Sequence, residues 1–149
     1  MQNNSDEEYS GLDELINSEV MKNYNEFIVN QALKYIKEPK QVIDFGAGIG
    51  TLSLVFKEKY GINPLCIEID NINKDYLSER GFTHFDSFKD ISMKSDLIFS
   101  SNVLEHIEDD LSILNLMKNN LSEGGLIYLY LPAKMFLWTE LDEIVGHYR

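Results

Sequence analysis

The spacing of apolar residues changes its period several times along the chain. Between Leu12 and Ile36 the apolar residues recur at helical spacing, and Pro39 ends this segment, which predicts one or two helices. Shorter segments with helical character follow at Thr51–Lys59, Ile72–Arg80 and Asp109–Leu121. Between them lie apolar runs that predict strands at Gln41–Phe45, Asn63–Asp70, Phe82–Phe85, Asp96–Ser101 and Leu126–Leu131.

The alternation of these helices and strands indicates an α/β fold. We expect a Rossmann-like, doubly wound and mostly parallel sheet of about five strands, with helices on both faces. The run LIYLYL, introduced by a turn at Gly124 and Gly125, is typical of a strand buried on both sides. Ligands of such sheets bind at the carboxyl ends of the strands, near the point where the strand order reverses. This rule places the segment VIDFGAGIG, residues 42–50, at a binding site.

Length and composition narrow the choice of function. At 149 residues we expect a flexible acidic lead at residues 1–10, followed by one domain at residues 11–149. The formal net charge of −12 opposes binding to nucleic acid, because it repels phosphate groups. The first residues lack the features of a signal peptide, no apolar run approaches membrane-spanning length, and Cys66 is the single cysteine. We therefore expect a protein of the reducing cytoplasm that has no membrane partner.

Three glycines and one acid stand close together at the first predicted strand. Gly46, Gly48 and Gly50 let the backbone turn sharply and approach a ligand, because no Cβ intervenes. A dinucleotide fingerprint needs G-x-G-x-x-G and a phosphate-binding loop needs Gly-Lys-Ser/Thr, and neither pattern is present. Asp44 disfavours a ligand whose nearest group is an anion, and it suits a cationic amino group.

A second acid lies at the end of the next predicted strand. The spacing of Glu68 from the glycines suits a hydrogen bond to each ribose hydroxyl, because a carboxylate has two acceptor oxygens. The two acids and the glycines together suit a nucleoside that carries an amino acid and no phosphate. S-adenosylmethionine fits this description.

The order of the motifs resembles that of class I S-adenosylmethionine-dependent methyltransferases. The resemblance covers roughly residues 24–132 and is carried by VIDFGAGIG, CIEID, FDSF, DLIFSSNVLEHIEDD and GGLIYLYLPA. The flanking segments NYNEFIVNQALKYI and LWTELDEIVGHYR resemble, more loosely, a bacterial subgroup that methylates small molecules. The resemblance implies direct in-line transfer of the sulfonium methyl group to an O, N or C atom of a small metabolite, with S-adenosylhomocysteine as product.

The resemblance also implies roles for individual residues. By position, the methionine half of the cofactor would contact Asp44, Gly46, Ala47, Gly48 and Gly50. The ribose would contact Glu68, and the adenine would contact Ile69, Asp86 and Ser87. The residues nearest the transferable methyl group would be Ser101, Asn102 and Leu104. Tyr24, in the first helical segment, would close the pocket.

The histidines are candidates for a general base. A base is needed only if the acceptor must lose a proton during transfer. His106 follows the fourth predicted strand and His147 lies in the final segment, and each is a candidate for this role. With one cysteine and scattered histidines, the sequence predicts no zinc or iron site.

The molecule that would accept the methyl group is narrowed mainly by the motifs that the sequence lacks. The motifs Asn/Asp-Pro-Pro-aromatic and Pro-Cys, which are usual in methyltransferases of DNA bases, are absent. Together with the negative charge, their absence favours a small molecule. Phe136, Leu137, Trp138 and Tyr148 would either line the acceptor pocket or belong to the core.

Two other functions remain open from the sequence. One is a catalytically inactive module or partner subunit that binds S-adenosylmethionine or S-adenosylhomocysteine. The other is an NAD-dependent oxidoreductase, which the glycine spacing disfavours. The usual fold has seven strands and five are predicted here, so we expect that this chain lacks the last strands, or that a second copy or another chain covers the edge of Leu126–Leu131.

Overall fold

The structure is a computed structural model that describes residues 12–132 and 146–148. The expected flexible lead at residues 1–10 lies outside the described residues, as does most of the final segment. In chain order the helices and strands are α1 (Leu12–Ser18), α2 (Lys22–Leu33), β1 (Val42–Phe45), α3 (Thr51–Tyr60), β2 (Leu65–Ile67), α4 (Asn71–Glu79), β3 (His84–Phe85), β4 (Ser95–Ser101), α5 (Asp110–Asn120) and β5 (Leu121–Tyr130). Short 3-10 turns occupy Phe88–Asp90 and Leu104–His106.

The five strands form one parallel sheet in the order β3-β2-β1-β4-β5. The chain adds β2 and β3 on one side of β1 and then crosses back to place β4 and β5 on the other side. The strand order therefore reverses between β1 and β4. This topology confirms the predicted doubly wound, Rossmann-like α/β fold.

Side chains of β1 and β4 pack on both faces of the sheet, which explains why these two strands are largely apolar. Successive side chains of a strand point to opposite faces. Val42 of β1 packs with α2 and α3 on one face, and its neighbour Ile43 packs on the other face with Met117 of α5. In β4, Phe99 packs on the same face as Val42, and Ile98 packs on the same face as Ile43.

Local sequence signals set where two of the helices begin. The Asp70 side chain accepts a hydrogen bond from the backbone N–H of Asn73 at 3.0 Å, and this bond caps the start of α4. Asp109 accepts one from the N–H of Ser112 at 3.1 Å and caps α5. Each of these two helices therefore begins at a local hydrogen bond between residues three positions apart.

The fifth strand begins earlier than predicted. Leu121 pairs with Ser95 directly after α5, and Leu126 pairs with Leu97, so Gly124 and Gly125 lie in a bulge within the strand and not in a turn before it. Gly124 adopts φ of +77°, in the left-handed region. Glycine pairs favour bulges as well as turns, and the partner strand decides between them.

The edges of the sheet are β3 and β5. Within residues 12–132 and 146–148, no strand pairs with the outer edge of β5. The expectation that a second copy or another chain covers this edge stays a prediction. Among the described helices, none has the length and apolarity needed to cross a membrane.

Truncation of Phe99 tests the core on the α2–α3 side of the sheet. The Phe99 side chain is fully buried, with ring centroids 5.3 Å from Phe56 and 5.7 Å from Tyr128. We expect Phe99→Ala to lower the free energy of unfolding in urea by about 3–5 kcal/mol, because the change removes buried contacts and leaves a cavity. The matched change Phe27→Ala, at a side chain that is 49% exposed, should lower the free energy of unfolding by less than about 1 kcal/mol. Equal effects of the two changes would contradict this packing.

Candidate functional site

The loop between β1 and α3 depends on glycine at more than one position. Gly46, Gly48 and Gly50 have φ of +72°, +54° and +86°, in the left-handed region that other residues rarely adopt. A Cβ on Gly46 would lie 2.3 Å from Cγ2 of Val103, and one on Gly50 would lie 2.8 Å from Cδ2 of Leu77. At these two positions glycine is therefore required for space as well as for conformation.

The Glu68 carboxylate holds this loop against the end of β2. Its Oε2 accepts a hydrogen bond from the N–H of Gly48 at 2.8 Å, and its Oε1 accepts from the N–H groups of Ile69 and Asp70 at 2.8 and 2.9 Å. The side chain is buried. Glu68 therefore has a structural task that its predicted role at the ribose did not include.

Asp44 is a buried acid beside the glycine loop. It is 3% exposed, and its Oδ2 accepts a hydrogen bond from Oγ of Ser53 at 2.7 Å. Burial raises the pKa of Asp44 to about 7; the hydrogen bond from Ser53 opposes this shift and the charge of Glu68 adds to it. The carboxyl group therefore ionises near neutral pH, and a cation placed next to it would favour the ionised form.

Cys66 lies behind Asp44 and belongs to the core. Its Sγ is 3.4 Å from Oγ of Ser53, and burial raises the pKa of the thiol to about 12. A thiol this poorly ionised is a weak nucleophile, so Cys66 has no apparent chemical task at the site.

A cavity of about 220 Å³ opens where the strand order reverses. It lies between the glycine loop, the end of β4 and the two N-terminal helices. The predicted site residues that line it are Tyr24, Asp44, Gly46, Ala47, Gly48, Ser101 and Asn102. The structure thus brings together residues that the sequence placed on three separate segments.

Asn102 and Tyr24 form two walls of this cavity. Asn102 adopts φ of +54°, an uncommon conformation for a residue other than glycine and one that is often found at functional sites. The Tyr24 hydroxyl donates to the Tyr130 hydroxyl at 3.3 Å, and this hydrogen bond is the main reason that the pKa of Tyr24 is raised to about 12. The contact ties α2 to the end of β5, and the role of Tyr24 in closing the pocket stays a prediction.

Several predicted site residues lie outside the cavity lining. The Leu104 side chain is 2% exposed and packs in the core, and its role at the wall near the methyl group stays a prediction. Ile69 is 79% exposed. Asp86 forms an ion pair with Lys74 at 2.8 Å, and Ser87 accepts a hydrogen bond from the N–H of Lys89 at 3.2 Å. The roles of these three residues at the adenine stay predictions.

Sequence reasoning missed the contribution of α1 and of the inner face of α2. These helices line the cavity with Leu15, Ser18, Met21, Asn25 and Ile28, and Thr51 follows the last loop glycine. Leu15 and Ser18 lie three residues apart in α1, as do Asn25 and Ile28 in α2, so each pair shares one face of its helix, and Met21 lies between the two helices. This spacing was visible in the sequence, but nothing local indicated that these faces meet the glycine loop.

The two candidate bases meet next to an acid. The rings of His106 and His147 have centroids 4.6 Å apart, and both lie beside the carboxylate of Glu105. The N–H of Tyr148 donates to the backbone carbonyl of Glu105 at 2.7 Å and holds the final segment in this place. Phe136, Leu137 and Trp138 lie outside the described residues. Tyr148 is 56% exposed, which argues against a core position.

Comparison with known proteins gives a family and a fold. A family model described as a methyltransferase domain matches residues 18–146. No curated protein sequence matches the chain.

Three solved structures illustrate the common fold. A SAM-dependent methyltransferase from Archaeoglobus fulgidus shares 19% identity with a TM-score of 0.68, over 83% of this chain and 60% of that one. Streptomyces venezuelae DesVI shares 14% with a TM-score of 0.69, over 86% and 59%. Coclaurine N-methyltransferase, bound to N-methylheliamine and SAH, shares 20% with a TM-score of 0.63, over 74% and 35%. This chain therefore spans between 35% and 60% of their lengths.

Replacement of Asp44 should change how stability depends on pH. The folded pKa of about 7 lies above the ordinary value of 3.8, so between these values the folded state binds more protons than the unfolded state. The contribution of Asp44 to stability is therefore full at low pH and is lost as pH rises toward 7. Between these two pH values, the free energy of unfolding of the wild type, measured in urea relative to that of Asp44→Asn, should fall as pH rises by up to about 1.4 kcal/mol per pH unit. A difference between the two proteins that does not vary with pH would contradict the burial of a titrating acid.

Proposed function

The chain belongs to the family of methyltransferase domains whose model spans residues 18–146, and on this premise we propose that it binds S-adenosylmethionine beside the glycine loop and transfers the methyl group to a small molecule. The observation that carries the proposal is the position of Asp44. This buried acid lies at the cavity where the strand order reverses, next to a loop whose glycines leave the backbone open to a ligand.

The cavity fits one half of the cofactor. Its volume of about 220 Å³ is below the usual range of about 300–1,000 Å³ for small-molecule sites, so we place the methionine half there. The ammonium group of this half would face Asp44 and favour its ionised form. The backbone of Gly46 and Gly48 would lie against the chain of the methionine.

The nucleoside half would then extend along the end of β2. Oε2 of Glu68 accepts one hydrogen bond, from Gly48, and a carboxylate oxygen has room for a second, so it can accept from a ribose hydroxyl without release of the loop. The exposed side chain of Ile69 would gain a partner in the adenine ring. Asp86 and Ser87 would lie near the adenine amino group.

Transfer would be a single displacement at the methyl carbon. An electron pair of the acceptor (a lone pair on O or N, or a π or carbanion pair on C) forms the new bond to the methyl carbon as the bond from that carbon to sulfur breaks, and sulfur keeps the pair of the broken bond. Because the sulfonium is already activated, the protein contributes chiefly by holding donor and acceptor in line. Ser101 and Asn102 would form the wall where the acceptor approaches, and His106 or His147 would take up a proton if the acceptor loses one.

Calorimetric titration with S-adenosylmethionine and S-adenosylhomocysteine tests the cofactor site. We expect saturable binding of both, and Asp44→Asn should weaken it by about 2 kcal/mol or more, because a buried carboxylate that pairs with the ammonium group is lost. Asp13→Asn, an exposed acid on α1 that does not line the cavity, is the matched control and should bind as the wild type does. Glu68→Ala is a poorer test, since it would also release three backbone N–H groups from their acceptor.

Two outcomes of this titration would contradict the proposal. One is the absence of binding by a folded wild type. The other is tighter binding of NAD than of S-adenosylmethionine, which would favour an oxidoreductase.

The affinity should also depend on pH in a defined direction. In the protein without bound cofactor, Asp44 has a pKa of about 7. Below this pH its carboxyl group must lose a proton before it pairs with the ammonium group. We expect the affinity of the wild type to rise as pH increases through 7, by at most about tenfold per unit, and then to level off. The Asp44→Asn protein should lack this dependence. A wild-type affinity that falls over the same range would mean that Asp44 does not face the ammonium group.

Detection of product separates an enzyme from an inactive module. The full chain is incubated with S-adenosylmethionine and a panel of small phenols, amines and carboxylic acids, and S-adenosylhomocysteine is measured. Formation that requires both an acceptor and an intact Asp44 would support catalysis. Cofactor binding without product across the panel would support a binding module instead.

A further inference from the structure

Glu105, His106 and His147 form a cluster that the proposed cofactor site does not use. One potential ligand atom from each residue lies within 4.8 Å of the other two. The cluster is assembled from the 3-10 turn after β4 and from the final segment, which the hydrogen bond from Tyr148 N–H to the Glu105 carbonyl holds in place. His147 lies far from Glu105 and His106 in the sequence, which is why the sequence predicted scattered histidines and no metal site.

The buried carboxylate of Glu105 is the feature that points to a ligand. The side chain is 2% exposed, and within the described part of the chain its Oε2 has no hydrogen-bond partner. A buried carboxylate oxygen that makes no hydrogen bond is costly, and such groups in folded proteins are generally paired or coordinate a metal. The cluster supplies no lysine or arginine to compensate Glu105.

The set of donor atoms selects a class of cation. Two imidazole nitrogens and one carboxylate oxygen are ligands typical of zinc and of other divalent transition metals. Magnesium and calcium prefer sites made of oxygen alone. Around a tetrahedral zinc ion with bonds of about 2.0–2.2 Å, ligand atoms lie about 3.4 Å apart, so separations of up to 4.8 Å would contract by at most about 1.4 Å. His106 is exposed and has room to move in this way.

We propose that Glu105, His106 and His147 bind one divalent transition-metal ion, with the two imidazoles and the Glu105 carboxylate as the protein ligands. Three protein ligands leave at least one coordination position for water or for another oxygen ligand, as in catalytic rather than structural zinc sites. The site follows directly after Asn102, which lines the cavity, so the ion would lie at the same end of β4 as the cofactor. Metal binding does not depend on the proposed methyl transfer, but it excludes the role of His106 or His147 as general base, because an imidazole that ligates the ion has no lone pair left for a proton.

The test is a metal titration of the full chain after removal of any affinity tag and of bound metal with a chelator. We expect Zn²⁺ to bind with a stoichiometry of one by calorimetry, and Co²⁺ to give the visible absorption of a site with nitrogen ligands. His106→Ala and His147→Ala should each weaken binding by at least about tenfold. Glu105→Gln, which keeps the side-chain volume, should do the same.

His84→Ala is the matched control. It removes the remaining histidine of the chain, whose Nε2 lies 2.8 Å from Oγ of Ser78 on α4, and it should leave zinc affinity unchanged. Circular dichroism of each variant checks folding. If Glu105→Gln does not fold, the variant at the exposed His106 still decides the question.

The proposal is overturned if the folded wild type does not bind one molar equivalent of Zn²⁺ or Co²⁺. It is also overturned if His106→Ala and His147→Ala bind as tightly as the wild type, since the metal would then lie elsewhere. Titration of the metal-depleted protein with S-adenosylmethionine gives an independent result, so failure of the metal site and failure of the cofactor site can be told apart.

Discussion

The contact between Glu68 and the backbone of the glycine loop is the interaction on which the site depends. The loop leaves β1 with three glycines in the left-handed region, and because glycine is conformationally free, a contact from outside the loop is needed to hold one arrangement. Glu68 accepts from Gly48 on one oxygen and from Ile69 and Asp70 on the other. Hydrogen bonds to a charged group contribute about 1.5–3 kcal/mol each, so this carboxylate fixes both the loop and the turn into α4.

The alternation of side chains along β1 then decides which chemistry faces the loop. Val42 and Asp44 share one face of the sheet, and Ile43 and Phe45 share the other. Asp44 therefore lies under α3, where Ser53 donates to it, and burial brings its pKa to about 7. The same strand thus provides core packing at its start and an acid that ionises near neutrality at its carboxyl end.

The two halves of the proposed active site rest on different parts of the chain. The cofactor half is built from β1, β2, β4 and the loops that follow them. The acceptor half would involve the turn at Leu104–His106 and the segment that contains His147, which meet through the backbone contact between Glu105 and Tyr148. A metal ion at Glu105, His106 and His147 would join these parts next to the wall formed by Asn102.

The sequence by itself determined the order of the elements, the parallel sheet and the location of the binding loop. These features follow from apolar periodicity and from glycine spacing, which are patterns over a few residues. Periodicity did not give the start of β5, because the bulge at Gly124 and Gly125 is set by pairing with β4. Nor did it show that Leu104 belongs to the core.

Tertiary structure alone decided the contacts between residues distant in the chain. The seating of α1 and α2 over the glycine loop, the hold of Glu68 on Gly48 and the meeting of His106 with His147 all depend on how the elements pack. Such contacts carry no local signal, because each partner is also compatible with an exposed position in its own segment. The physical reason is that burial and distance, which turn these side chains into a site, are properties of the folded chain and not of any one stretch of sequence.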